Sequence, residues 1–239
     1  MQVQRVDAGK GLAWFGDGWR VFRADPGMWL ALTLIGGVIA MALGLVPLLG
    51  PMLFALILPA LLGGYMYAAR EGLSGRPVEI GHLFIALQQL EKRNPMMVLG
   101  ALLLGFHILM TLVAVLLVGG SMGMMGIAGH GDNNAMAAGA GLGLLLALLI
   151  ISVVGLVVAM AFMYAIPLVM FADTKPVDAL KSSISACLAN FLPLLVFSVA
   201  YLVLAVIAAI PLMLGYLILM PVTFAAVVAS YDDIYGHAV

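Results

Sequence analysis

The chain has 239 residues, of which 65% are hydrophobic and 9% charged, with a formal net charge of −1, and its mean hydropathy is +1.20. A water-soluble chain of this size cannot hide so much apolar surface, so lipid must be its solvent. The balanced charge leaves no basic field for phosphate backbones, which excludes nucleic acid as a partner, and a lone Cys187 excludes an intramolecular disulfide.

The first ten residues, Met1 to Lys10, are polar and lack an apolar signal-peptide core, so the first span is expected to act as the targeting signal. Leu12, Phe15, Trp19 and Phe22 follow at i, i+3, i+7 and i+10, which predicts an amphipathic helix with these four on one face. It is expected to end at Asp25-Pro26, because an Asx-Pro step disfavours continued helix. A span needs about 20 apolar residues to cross about 30 Å of hydrocarbon. The first runs from about Met28 to Val46 and the second from Met52 to Ala69, joined by a tight turn at Pro47-Leu48-Leu49-Gly50-Pro51. Trp14, Trp19 and Trp29 fit an interfacial aromatic belt. Arg76-Pro77-Val78-Glu79 then opens a second amphipathic segment with Ile80, Leu83, Phe84, Leu87 and Leu90 on one face, closed by Asn94-Pro95. The third span covers Met96 to Val118. A Gly/Met-rich loop from Gly119 through His130, Asp132 and Met136 leads to the fourth, Leu142 to Phe171, which is long enough to tilt, protrude or kink near Pro167. Lys175-Pro176-Val177-Asp178 repeats the earlier opening, and Val177, Leu180, Ile184, Cys187 and Leu188 form the third amphipathic face before Asn190-Phe191-Leu192-Pro193. The last two spans are Phe191 to Ile210 and Leu212 to Ser230, turning at Pro211.

All ten Lys and Arg residues fall in the connections on one side of these six spans, and the opposite loops hold only Asp132 as a charge. The positive-inside rule then predicts both termini in the cytoplasm of a bacterial inner-membrane protein. The expected fold is all-α: one integral membrane domain, 1–239, built as three parallel repeats at about 5–71, 76–172 and 175–236. Each repeat is a cytoplasmic interfacial helix followed by an out-and-back hairpin, unlike the inverted repeats of many transporters. Two readings fit the interfacial helices: a contact platform for lipid headgroups or a protein partner, or simple anchors of the bundle.

The opening Gly18-Trp19-Arg20-Val21-Phe22 with Asp25-Pro26, the segment Ser183 to Asn190, and the ending Val228-Ala229-Ser230-Tyr231-Asp232-Asp233-Ile234-Tyr235-Gly236 resemble a group of six-span bacterial inner-membrane proteins of unknown function. More distantly, the chain resembles the membrane domain attached to some glycerophosphodiester phosphodiesterases. The likeness spans most of the chain and is weakest through the fourth span and the loop before it. The resemblance implies a fold and carries over no catalytic residue. It implies no phosphodiesterase activity either, since no phosphodiesterase domain lies within these 239 residues.

Chemistry-bearing groups are sparse. His107, one turn from Thr111, is the single ionisable side chain inside the spans, and either serves as a proton or ligand site or hydrogen-bonds a neighbouring helix in the bundle. Pro59 and Pro221 sit mid-span in corresponding hairpins, where freed carbonyls mark either a pocket or a re-satisfied kink. Met122, Met124, Met125 and His130 combine thioether and imidazole, a set that suits Cu(I), or form a flexible linker. Gly155 and Ala159 form a small-xxx-small pair for close helix contact. No nucleophile–base pair, phosphate loop or spaced ligand cluster is present, so no cofactor and no enzymatic activity are expected. The expected role is a scaffold, regulator or envelope-homeostasis factor whose contact surface includes Arg20, Arg23, Arg76, Lys92, Arg93 and Lys175. The alternative is a carrier or permeation path for a lipid or small apolar solute.

Overall fold

The structure, a computed structural model, describes residues 3–127 and 133–236. Its regular elements are α1 (Lys10–Ala24), α2 (Pro26–Gly44), α3 (Leu49–Leu73), a 3₁₀ turn (Ile80–Phe84), α4 (Ile85–Gln88), α5 (Leu90–Ile127), α6 (Asn133–Ala172), α7 (Pro176–Ala189), α8 (Phe191–Ala209) and α9 (Tyr216–Tyr235). Six of them, α2, α3, α5, α6, α8 and α9, are long and apolar enough to cross a bilayer. The protein is therefore an integral, multi-pass membrane protein. All ten basic residues lie at one end of the six-helix array, called the basic end below.

The interior is built around α9 and α3. Of α9's apolar window 61% is buried, against 11% for those of α5 and α6, so the last helix is the central post and the middle hairpin is the one most exposed to lipid. Helix α3 packs on α5 through Gly100, where an added Cβ would strike the Leu56 carbonyl, and through Gly63 against Met96. Gly64 lets α3 touch the backbone of His82 and Leu83 in the 3₁₀ turn. Close approach is thus made at Gly63, Gly64 and Gly100, whereas Gly155 faces open space and makes no such contact. A small residue permits approach, but a facing backbone has to use it.

Two hairpin turns share a construction. In the first, Leu48 has φ 64° and Gly50 lies against the Leu43 carbonyl of the departing helix. In the last, Leu212 and Met213 have φ 51° and 65°, and Gly215 lies 2.5 Å (as an added Cβ) from the Ala208 Cα. The last span consequently starts at Tyr216, not at the expected Leu212. Leu212 and Met213 are apolar enough to read as helix, yet the reversal holds both in the left-handed region.

The middle hairpin is longer than its apolar windows. Helix α5 has 38 residues and α6 has 40, so the segment expected to leave the helix at Gly119 stays helical to Ile127, and α6 begins at Asn133. Nor does Asn94-Pro95 separate two helices: the break falls earlier, at Gln89 (ψ 113°), and Pro95 lies inside α5. Near the basic end of α6, Ser183 of α7 inserts its hydroxyl, accepting from Tyr164 N at 2.9 Å and donating to Met160 O at 2.6 Å. These are the donor and acceptor that an α-helix pairs directly, and the insertion lies one turn before Pro167, whose missing N–H already weakens the ladder.

Candidate functional site

The basic end is the polar part of the molecule, and its shape follows from α1. The buried face of α1 is Gly11, Trp14, Phe15, Gly18, Val21 and Phe22, a stripe at i, i+3, i+4, i+7, i+10 and i+11. Leu12 and Trp19, expected on one face with Phe15 and Phe22, are 60% and 46% exposed. The helix is rotated because Gly11 and Gly18 allow backbone contact: a Cβ at Gly11 would meet Pro193 O and Phe197 N of α8, and one at Gly18 would meet Val222 of α9. Trp14 and Trp29 are each 1% exposed, so they are core residues and not part of an aromatic belt. The Trp14 Nε1 donates to Asp233 Oδ2 at 2.8 Å, and the Trp29 Nε1 to the Val21 carbonyl.

Side chains from distant parts of the sequence close this end. Asn190, at the α7–α8 break, accepts from Val6 N at 2.9 Å and donates to Gln4 O at 2.9 Å, while Gln4 N donates to Ile234 O. The segment before α1 is therefore held as a short strap. Lys10 pairs with Asp233 at 3.1 Å. Lys92 of α5 pairs with Asp173 at 2.6 Å, where the chain leaves α6 at φ 50°. In α7 the buried side is Ala179, Ser183, Ala186 and Cys187, so of the residues expected to share a face with Cys187, Val177 and Leu188 are exposed instead.

Three cavities adjoin this layer. One of about 720 Å³ is lined by Tyr67, Arg70, Glu71, Leu73, Ser74, Arg76 and Phe171. Its two arginines are engaged: Arg76 forks onto Glu71, and Arg70 lies 3.2 Å from Asp232 Oδ1 with its guanidinium 4.4 Å over the Phe171 ring. That 3.2 Å contact is an ion pair without hydrogen-bond alignment, and neither Asp232 oxygen has a hydrogen-bond donor among the described residues. The second cavity, about 500 Å³, is an apolar groove between α8 and α9 beneath Phe15 and Trp19. The third, about 540 Å³, surrounds Gly16, Trp19, Arg20, Arg23 and Ala24.

The structure gathers some of the predicted residues and scatters others. Arg20 and Arg23 share one cavity, and Arg76 lines another. Arg93 is half-buried and Lys175 exposed, away from both. Pro59 and Pro221 are buried within continuous helices and line none of the three cavities. His107 is exposed on α5, and its Nδ1 is 2.9 Å from Leu103 O of its own helix, so it does not reach a neighbouring helix as the sequence suggested. The soft-metal set of Met122, Met124, Met125 and His130 lies outside the described residues, apart from the α5 backbone. Arg70 and Asp232 were missed because neither stands inside an obvious apolar run. Glycines spaced seven apart in α1 were the available sign of its true inner face.

Compared with known proteins, the chain is 26% identical over 251 aligned positions to a probable inner membrane protein of Burkholderia thailandensis, covering 99% of this chain and 92% of that one. The likeness is end to end. No protein-family model matches the chain, and no solved structure matches it. The inner-membrane relative and the six apolar helices agree on an integral membrane protein.

Cys187 illustrates how closed the layer is. Burial pushes its thiol up to about 12, outweighing the opposing effect of the neighbouring Ser183 hydroxyl. At pH 8 only about one thiol in ten thousand is then ionised, and the thiolate is the nucleophile. Iodoacetamide is expected to leave Cys187 unmodified in the folded protein and to alkylate it fully in denaturing detergent, as read by intact mass. Equal rates in the two states would contradict the packing.

Proposed function

We propose that this protein is a non-catalytic scaffold or regulatory component of the bacterial inner membrane, with both termini in the cytoplasm and the basic end as its contact layer. The observation that carries the reading is the interlocking of that end. The strap, α1, α7 and the ends of α3 and α9 are fixed to one another, while Arg23 and Lys175 project outward with no ion pair among the described residues. A rigid layer that displays basic side chains suits lipid headgroups or an acidic partner protein. The three-unit reading fits this layer, since α1, the 3₁₀–α4 segment and α7 each precede a hairpin. Support for the non-catalytic part is the sequence's lack of a nucleophile–base pair or ligand cluster.

The test is photo-crosslinking in native membranes from position 177, where Val177 is exposed on α7. A discrete protein adduct is expected in the wild type, falling at least about tenfold when Arg23, Arg93 and Lys175 are all changed to Glu. An unchanged adduct pattern in that variant would sink the reading.

A carrier or permeation path for a lipid or small apolar solute keeps one supporting observation, the open groove between α8 and α9. It predicts flux of labelled lipid across proteoliposomes holding the purified protein, at a rate above protein-free vesicles.

A further inference from the structure

Helices α8 and α9 meet closely at their turn, where Gly215 lies against Ala208, and part toward the basic end, where α1 is wedged between them. Phe15 of α1 stacks on Phe197 of α8 at 4.6 Å, and Gly18 sits on the backbone of α9. The wedge leaves the groove of about 500 Å³, walled by Leu204, Ile207, Ile218 and Leu219. Gly16 and Trp19 line this groove and also the cavity of about 540 Å³ that holds Arg20 and Arg23. The two adjoin along this face of α1, and together they make a trench that is aliphatic between α8 and α9 and cationic on α1 itself. No carboxylate is among its lining residues. Among the described residues Arg20 is paired only with half-exposed Asp17 of its own helix, at 3.1 Å, and Arg23 has no ion pair.

We propose that this trench binds one anionic glycerophospholipid, its phosphate between Arg20 and Arg23 and an acyl chain laid between α8 and α9. Bulk lipid wets every exposed helix flank, but here a cation pair stands beside an apolar groove set between two helices. Guanidinium groups take phosphate oxygens in pairs. A zwitterionic headgroup would bring its own cation against the two arginines, so a net negative charge is favoured. Trp19, half exposed where the aliphatic and cationic parts join, has the amphipathic ring that suits the glycerol level. The inference deepens the contact-layer reading and rests on it for the leaflet that supplies the lipid.

The experiment is native mass spectrometry of the full chain released from detergent after equilibration with equimolar phosphatidylglycerol and phosphatidylcholine of matched acyl chains. One phosphatidylglycerol is expected to survive activation, preferred by more than tenfold, since each basic residue near a membrane surface contributes about fivefold. Arg20→Gln with Arg23→Gln should bring the preference near unity, and Arg93→Gln with Lys175→Gln should leave it intact. Gly16→Phe grows into open space, with nothing within 4 Å of its added Cβ. It should remove the adduct without lowering the melting temperature. Equal retention of the two lipids by the wild type, or an adduct that survives Gly16→Phe, overturns the site. So does displacement of the lipid by millimolar inorganic phosphate, which would assign the arginines to a free anion. A preference lost equally with either pair of substitutions also overturns it, while leaving the contact layer standing.

Discussion

Replacing Arg70 by alanine is expected to destabilise the folded protein by about 3–5 kcal/mol, a fall on the order of 10 °C in melting temperature in detergent. Asp232 is only 8% exposed, and its carboxylate faces a guanidinium that is itself held over Phe171. Removing the guanidinium leaves the buried carboxyl either charged without a partner or obliged to take up a proton, and either outcome costs more than the pair gained when it formed. Arg70→Lys keeps the charge but loses the flat stacking surface, so its cost should be smaller, about 1 kcal/mol. A joint Arg70→Met and Asp232→Leu exchange should recover much of the loss, because it removes the need to desolvate either ion. If Arg70→Ala melts with the wild type, the pair is not buried as described.

The second large effect is at Gly18. An alanine methyl there would run into the Val222 carbonyl oxygen, with the Val222 carbon at 3.0 Å and Ala226 N at 3.3 Å. All three atoms belong to the α9 backbone, which cannot rotate aside as a side chain would. Helix α1 must therefore lift away, loosening Trp14 and Phe15 from Phe197. Gly18→Ala is expected to cost about 1–3 kcal/mol or more and to expose residues 3–24 to limited proteolysis. Gly16→Ala, two residues away, meets nothing and should gain up to about 1 kcal/mol from helix propensity. Opposite signs at neighbouring glycines are the signature; matching signs would refute the crossing.

The six spans were legible in the sequence because an apolar run of that length has one physical outcome in a cell. Within them, legibility ended wherever backbone met backbone. The turn at Leu212 and Met213 contains none of the residues that favour a left-handed conformation before Gly215, so hydropathy runs straight through it. The same holds for the face of α1: counting apolar residues grouped Leu12 and Trp19 with Phe15 and Phe22 and left Trp14 to the interface, whereas the glycines turn Trp14 inward and Leu12 and Trp19 outward. Asn94-Pro95 shows a limit of another kind. Pro95 is the sixth residue of α5 and leaves the Glu91 carbonyl without its i+4 donor, yet the helix runs on through it, so the dipeptide marks no boundary. For the candidate site, Arg20 and Arg23 were picked out by charge alone. Their trench depends on α1 wedging between two helices that come much later in the chain, which no local pattern encodes.

That wedge also sets an order of events in biosynthesis. Trp14 and its acceptor Asp233 are 219 residues apart in the chain, and the strap before α1 bonds to Ile234. At about 5–20 residues per second, α1 emerges roughly 10–40 s before the helix it packs against. During that interval its aromatic stripe has only the membrane surface to lie on. Closure of the bundle is thus the last step of synthesis, and a chain cut short before Asp233 would retain most of its spans yet leave its first helix undocked.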